Sequence, residues 1–111
     1  MSDFSDVLER LAATIAARKG ADPASSYTAQ LLGDPRRAAK KLGEEAVETA
    51  LAAASGDADA IAAESADLIY HWLVLLAATG VDLDAVAARL KAREGTSGLA
   101  EKASRGQTSS R

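Results

Sequence analysis

A single short break, Ser55-Gly56-Asp57, separates two long segments in which little else would interrupt a helix. The first runs from Asp34 to Ala54 and the second from Asp57 to about Thr79, and each begins with an aspartate that can cap a helix. Pro35 suits the first helical turn, where its missing N–H costs nothing. These features predict two long helices joined by a tight turn, that is, an antiparallel hairpin.

The rest of the chain is also predicted to be helical. Roughly a quarter of its residues are alanine, the strongest helix former, and only two are proline. A first helix is expected over about Asp3 to Lys19 and a last one from a cap at Asp82 to about Arg93, whereas Ala21–Gly33 connects, with room for one short turn of helix. We therefore expect an all-α fold, a four- to five-helix bundle around the central hairpin. The domain would span residues 1–94, followed by a polar tail over residues 95–111.

Composition argues against several functions. The net charge of −3 and the lack of a basic stripe argue against a nucleic-acid partner. Without cysteine, neither a disulfide framework nor a Cys-ligated zinc site is possible. The N-terminus lacks the basic start and apolar stretch of a signal peptide, and the longest strongly apolar run, Leu68–Ala78, is too short to span a bilayer. A soluble cytoplasmic protein with no membrane partner is expected.

The apolar run Leu68–Ala78 also predicts how the protein assembles. Apolar side chains occupy nearly every position, so no side of this part of the helix is clearly solvent-facing. A helix that is apolar all round is buried on all sides, and four short helices can hardly surround one of their own. This favours a homodimer or a higher oligomer, with Tyr70 and Trp72 packing mainly at the interface between subunits.

Five carboxylates flank the central turn. Three of them lie in one arc of about 100° on a helical wheel, beside an apolar stripe that we expect to face the core. The three are Glu44, Glu45 and Glu48, and the stripe is Val47, Leu51 and Ala54. Counted outward from Gly56, two pairs lie at equal distances: Glu48 with Glu64 at eight residues, and Glu45 with Asp67 at eleven. An antiparallel hairpin therefore brings the two acidic patches level with each other.

Carboxylates that face each other across a hairpin repel and are costly to desolvate, so either some are protonated or hard divalent cations are bound. Oxygen ligands suit Mg²⁺ or Mn²⁺, and Mg²⁺ commonly joins protein carboxylates to substrate phosphates. A di-iron bundle would need Glu-x-x-His motifs, which the single His71 cannot supply. Any one of these carboxylates alone would be expected on the solvated surface, but their level pairing favours a metal site for the set.

Two acidic segments resemble the signature of a known superfamily. E-E-A-V-E (Glu44–Glu48) followed by E-S-A-D (Glu64–Asp67) is similar to the E-E-x-x-E … E-x-x-D signature of the all-α nucleoside-triphosphate pyrophosphohydrolases, the MazG-like superfamily. The flanking pieces K-K-L-G, D-L-I-Y-H, S-Y-T-A-Q-L-L and S-G-L-A-E-K resemble a narrower family, the phosphoribosyl-ATP pyrophosphohydrolases. The likeness runs from Phe4 to about Arg105, and every signature carboxylate is present.

The resemblance implies Mg²⁺-dependent hydrolysis of the α–β bond of phosphoribosyl-ATP, the second step of histidine biosynthesis, by a cytoplasmic homodimer. The cyclohydrolase of the next step would be a separate protein. The implied metal ligands are Glu45, Glu48, Glu64 and Asp67, and Glu44 is the candidate base that takes the proton from water. Which of the three glutamates before the turn is the base, and which are ligands, stays open.

Four side chains are expected to contact the nucleotide substrate: Lys41, Arg93, Ser97 and Lys102. Lys41 lies one turn before the acidic arc, where it either binds phosphate or simply pairs with Glu45 at i+4. Arg93 either complements the C-terminal dipole of its helix or, together with Ser97 and Lys102, closes over the ribose phosphates as the tail becomes ordered on substrate. His71 is expected to be a buried core histidine or a hydrogen-bonding neighbour of the site rather than a metal ligand.

Two other functions stay open at this point. A house-cleaning pyrophosphatase that acts on dNTPs or damaged nucleotides would share the carboxylate signature but lack the family-specific flanks. A non-enzymatic helical dimer, serving assembly or regulation, would show no effect of divalent cations and would tolerate Glu48→Gln or Asp67→Asn.

Overall fold

The computed structural model describes residues 3–95 together with 98, 102, 103 and 105. In this part of the chain the regular structure is helical throughout, which confirms the all-α prediction. The helices are α1 (Asp3–Ala17), α2 (Tyr27–Leu32), α3 (Pro35–Ser55), α4 (Ala58–Thr79) and α5 (Leu83–Arg93). The chain divides after Val81 into two units, so that α1 to α4 belong to the first and α5 to the second.

The hairpin of α3 and α4 begins and ends where the sequence places its caps. The side chain of Asp34 accepts a hydrogen bond from the N–H of Arg37, and that of Asp57 accepts from two N–H groups in the first turn of α4. Gly56 ends α3 with a φ of +76°, the left-handed conformation that glycine adopts without strain. Asp82 holds the corresponding position before α5, yet its side chain accepts no capping hydrogen bond within the described residues, so the cap predicted there is not formed.

The segment predicted to connect the first helix to the hairpin contains α2, which is longer than a single turn. Ser26 caps this helix by accepting a hydrogen bond from the N–H of Ala29. Ala29 and Leu31 are buried, and α2 packs on both α3 and α4. The segment is therefore a packed element of the first unit.

The pairing of α3 with α4 is the most extensive contact between helices in the described part of the chain. The side of α3 that faces this interface carries small residues, since Ala38 and Ala52 are buried there. The predicted core stripe is wrong, because Val47 is 58% exposed and Leu51 is 62% exposed. Small side chains let two helices approach closely, whereas a stripe of valine and leucine would hold them apart.

The core of the first unit is small and gathers around the second half of α4. Its largest fully buried side chains are Ile15, Leu31 and Val74, from α1, α2 and α4 respectively. On α4 itself, only His71, Leu73 and Val74 are buried among the described residues. The burial on all sides that the apolar run predicts is therefore not achieved within one chain.

By length and composition alone, the whole of α4 is long and apolar enough to cross a membrane. The apolar run Leu68–Ala78, which is only half of this helix, is too short to do so. This property is weak evidence, because the central helix of a soluble protein shares it. Glu64 and Asp67 also lie within α4, and carboxylates are costly in the middle of a bilayer. These carboxylates favour a central helix of a folded domain.

Candidate metal centre

Three carboxylates from the two helices of the hairpin lie together. One oxygen from each of Glu45, Glu64 and Asp67 lies within 4.8 Å of the others. Glu45 and Glu64 are partly buried, whereas Asp67 is exposed. Glu45 and Asp67 are the pair that the sequence places eleven residues on either side of Gly56. Like charges at this separation repel, so a cation or a proton among the three carboxylates would stabilise the cluster.

The other two glutamates of α3 lie at the edge of this cluster. Glu48 is exposed and does not belong to the three-carboxylate group found among the described residues, so three of the four predicted ligands come together. The negative charge of Glu48 nevertheless acts on Glu64. Glu44 is also exposed, with its side chain 48% accessible, and it lies beside Lys41. The roles of both glutamates stay predictions.

The pKa of Glu64 is raised above its ordinary value. The largest cause is the partial burial of this carboxyl, followed by the negative charge of Glu48 and then by those of Asp67 and Glu45. Each of these disfavours the ionised form of Glu64 as long as no positive charge is present. A divalent cation among the three carboxylates would reverse this effect, because it favours the ionised form.

Lys41 brings a positive charge of the chain itself to the edge of the cluster. Its Nζ lies 3.2 Å from Oε1 of Glu44 and 3.9 Å from Oε2 of Glu45. The hydrogen bond to Glu44 is the main cause that holds the pKa of Lys41 above its usual range, with further contributions from Tyr27 and Glu45. The i+4 pair with Glu45 is therefore present, and the closer contact is with Glu44. Lys41 stays charged beside the two glutamates.

His71 is buried on the side of α4 that faces α2, and both of its ring nitrogens are hydrogen-bonded. Its Nδ1–H donates to the backbone carbonyl of Asp67 at 2.8 Å, which leaves Nε2 to accept from the hydroxyl of Tyr27 at 3.5 Å. The hydroxyls of Thr28 and Tyr70 hydrogen-bond to each other next to this pair. Sequence reasoning missed this contact between the two segments. The signal available in the sequence was a pair of adjacent polar side chains in each of the two helices. The pair is Tyr27-Thr28 in α2 and Tyr70-His71 in α4.

The remaining predicted substrate contacts lie outside the first unit or outside the described residues. Arg93 is exposed at the end of α5, and Lys102 is exposed as well. Both belong to the second unit of the chain. Ser97 lies outside the described residues. Their contact with substrate stays a prediction.

The donor set of the cluster fits a hard divalent cation. It consists of carboxylate oxygens, which Mg²⁺ and Mn²⁺ prefer, and neither sulfur nor imidazole takes part. Mg²⁺ usually takes one or two protein carboxylates and keeps other positions for water and phosphate. The exposure of Asp67 leaves the cluster accessible from solvent. Glu45, Glu64 and Asp67 together are therefore suited to hold Mg²⁺ against a phosphate group.

Comparison with known proteins identifies the family. The profile of the family described as phosphoribosyl-ATP pyrophosphohydrolase matches residues 8–94. The chain is 73% identical over 102 residues to the phosphoribosyl-ATP pyrophosphatase of Caulobacter vibrioides, which covers 92% of this chain and 95% of that relative. It is 71% identical over 105 residues to the protein of the same name from Caulobacter sp. strain K31, with coverage of 95% and 98%. A third relative of that name, from Parvibaculum lavamentivorans, is 61% identical over 108 residues, with coverage of 96% and 99%. The chain belongs to the phosphoribosyl-ATP pyrophosphohydrolase family.

Proposed function

We propose that this protein hydrolyses phosphoribosyl-ATP to phosphoribosyl-AMP and pyrophosphate, the second step of histidine biosynthesis, in the cytoplasm. The observation that carries the proposal is the cluster of Glu45, Glu64 and Asp67, which lies within the segment that matches the family. The substrate is supported by the three relatives named above, each of which is called phosphoribosyl-ATP pyrophosphatase.

Glu45, Glu64 and Asp67, with Glu48 at the edge, would hold Mg²⁺, or Mn²⁺ in its place. A cation bound there neutralises phosphate charge and polarises the phosphorus that is attacked. Alone, these carboxylates would repel a triphosphate. We therefore expect substrate and cation to bind together, each weakly in the absence of the other.

Glu44 is the candidate base in this proposal. A general base has to be ionised near neutral pH and able to reach the attacking water. Glu44 is exposed, so water can reach its carboxylate, and the ammonium of Lys41 lies 3.2 Å from its Oε1. As water attacks and the bond to the pyrophosphate oxygen breaks, the water proton passes to Glu44. Lys41 can donate to the departing pyrophosphate, which leaves Glu44 unpaired to accept that proton.

A homodimer is part of the proposal, because the hairpin presents an apolar surface that nothing in the described chain covers. This surface, which we call the uncovered apolar face, is an open groove of about 280 Å³ lined by Leu42, Leu68, Ile69 and Trp72. Contiguous apolar patches on soluble proteins usually mark interaction sites. A second copy presents the same face, so a two-fold axis at the hairpin would cover both.

Arg93, Ser97 and Lys102 are proposed to contact the ribose phosphates, with residues 95–111 ordering on substrate. Arg93→Met and Lys102→Met are expected to raise KM with little change in kcat, because such contacts are equally strong before and during the reaction. The matched control is Arg89→Met, another exposed arginine of α5. A lowered kcat with unchanged KM in the first two variants would contradict this role.

The test of the function is pyrophosphate release from phosphoribosyl-ATP by the purified protein, with and without Mg²⁺, beside a panel of dNTPs. We expect turnover that needs the cation. The kcat/KM for phosphoribosyl-ATP should exceed that for any dNTP by roughly a hundredfold or more, since the substrate site has to match the ribose phosphates. Comparable turnover of dNTPs would favour a house-cleaning pyrophosphatase. No turnover with either Mg²⁺ or Mn²⁺ would favour a non-enzymatic helical dimer. Growth of a histidine auxotroph that carries the gene is an independent check.

A further inference from the structure

We infer that Thr49 is a positioning residue of the candidate metal centre: its hydroxyl fixes the register of α3 against α4 that brings the carboxylates of Glu45 and Glu64 together. The inference rests on the proposed function, because it assigns Thr49 a role in that site. Thr49 acts through the backbone of the two glutamates and is not itself a ligand.

The hydroxyl of Thr49 reaches the backbone at both glutamates. Its Oγ1 lies 2.8 Å from the carbonyl oxygen of Glu45, one turn earlier on α3, and 3.2 Å from that of Glu64 on α4. A hydroxyl has one hydrogen to donate, so the two carbonyls share it. Within the described residues, this is the side-chain hydrogen bond that joins α3 to α4. One group thus contacts the main chain of two residues whose side chains meet in the cluster.

The buried side chains of α3 do little to fix this register. Ala38 and Ala52, buried on the same side of α3, have side chains too small to interlock strongly with α4. The turn at Gly56 holds one end, but Thr49 lies seven residues from it, about 10 Å along the helix. Mutual repulsion of the carboxylates favours sliding or separation. A small axial shift would lengthen the separations within the cluster, whose oxygens now lie within 4.8 Å of one another.

A threonine that donates to the carbonyl one turn earlier is a common local feature and by itself means little. Thr14 donates to Arg10 at 3.0 Å in this way, and Thr79 donates to Leu75 at 2.8 Å. The second acceptor of Thr79, Leu76, is on its own helix. Of these three threonines, Thr49 alone adds an acceptor on another helix. Thr79 therefore provides a control with the same local hydrogen bond and no contact between helices.

The experiment compares Thr49→Val, which removes the hydroxyl and keeps the shape, with Thr49→Ser, which keeps the hydroxyl, and with the control Thr79→Val. The probe is Mn²⁺ alone, whose dissociation constant is measured by electron paramagnetic resonance without substrate. The Mg²⁺ concentration for half-maximal hydrolysis is the second readout. We expect Thr49→Val to weaken Mn²⁺ binding and raise that Mg²⁺ concentration on the order of tenfold, as for other groups that orient metal ligands. Thr49→Ser and Thr79→Val should stay within about twofold of the wild type, the range expected when no ligand moves.

Unchanged Mn²⁺ affinity in Thr49→Val would overturn the inference, as would an equal loss in Thr79→Val or in Thr49→Ser. If Thr49→Val does not fold, Thr49→Ala removes the same hydroxyl with a better helix former and takes its place. A wild-type protein that binds no Mn²⁺ and needs no cation for hydrolysis overturns the metal centre and this inference together. If the wild type binds Mn²⁺ and Thr49→Val binds it equally tightly, the metal centre stands and only the inference about Thr49 is overturned.

Discussion

The two faces of the α3–α4 hairpin differ in chemistry and in what covers them. One face carries Glu45, Glu64 and Asp67, and α2 packs beside it through the contact of Tyr27 with His71. The other is the uncovered apolar face, the open groove lined by Leu42, Leu68, Ile69 and Trp72. Asp67 and Ile69 show how close in sequence the two faces are: they are two residues apart and point about 160° away from each other on α4.

The difference between the faces indicates how a short chain can hold a cluster of like charges. The carboxylate face disfavours folding, since the pKa of Glu64 is raised by its burial and by its acidic neighbours. The first unit has a small core to offset this cost. Covering the apolar face with a second copy would add stabilisation at about 25 cal/mol per Å² of buried apolar surface. We therefore expect the stability of the carboxylate face to depend on a second copy covering the uncovered apolar face.

The largest effect is expected from Glu45→Gln or Glu64→Gln on the carboxylate face. Each variant keeps the shape of the side chain and removes a charge that would hold the cation, so kcat/KM should fall by at least about a hundredfold, since a metal supplies several kcal/mol of transition-state stabilisation. Initial rates of pyrophosphate release measure it. The matched control is Glu9→Gln, an exposed glutamate of α1 that should leave the rate unchanged. Rates within threefold of the wild type for both site variants would contradict the metal centre.

The next effect is expected on the apolar face, from Ile69→Glu. Ile69 lines the open groove and is only partly buried in one chain, so a charge there can reach solvent in the single subunit but would be buried without a partner in the dimer. Light scattering after size-exclusion chromatography should show the molar mass falling to that of a single chain. Leu90 on α5 is 61% exposed and provides the control Leu90→Glu, which should remain dimeric. An Ile69→Glu protein that is still dimeric would place the interface elsewhere.

The sequence predicts where the two helices of the hairpin begin and end, and which of their carboxylates lie opposite each other. Both predictions depend on local chemistry. Asp34, Gly56 and Asp57 fix where the two helices begin and end, and counting residues from the turn then places Glu45 opposite Asp67. Each of these steps uses neighbours within a few residues along the chain. They therefore needed no knowledge of how the helices pack.

The sequence does not predict which side of α3 faces α4. A helical wheel ranks sides by polarity, and on that basis Val47 and Leu51 were expected in the core. Packing between two close helices is decided instead by size, so that Ala38 and Ala52 are buried. The docking of α2 also depends on contacts across more than 40 residues, such as Tyr27 with His71 at a separation of 44, which helix caps and hydrophobic periodicity do not reveal.

A moderate effect is expected from Lys41→Met, which removes the positive charge at the edge of the carboxylate face. If Lys41 binds phosphate, KM for phosphoribosyl-ATP should rise about tenfold, the value of one charge-assisted hydrogen bond. Lys40→Met, one residue earlier, is the control and should change KM by less than about twofold if its lysine stays in water. Equal KM values for the two variants would leave Lys41 with only its ion pairs to Glu44 and Glu45.

The smallest effect concerns the stability of the carboxylate face without metal. In the folded protein the pKa of Glu64 lies above its ordinary value of 4.5, which applies to the unfolded chain. Between the two values the folded state binds more protons than the unfolded state, so the free energy of unfolding falls as pH rises through this window. The contribution of Glu64 to stability is therefore complete below pH 4.5 and is lost above the raised pKa.

Glu64→Gln isolates this contribution because glutamine stays neutral at every pH. With EDTA present, melting temperatures from circular dichroism should be nearly equal for wild type and variant at about pH 4, where the carboxyl is protonated. The variant should become the more stable of the two as pH rises toward neutrality. Adding Mg²⁺ at pH 7 should then stabilise the wild type and not the variant, since a ligand that binds the folded state raises its stability. A difference between wild type and Glu64→Gln that stays constant with pH would show that burial and neighbouring charge do not act on Glu64. In that case Glu64 would not disfavour folding of the carboxylate face, and a second copy on the uncovered apolar face would have no such cost to offset.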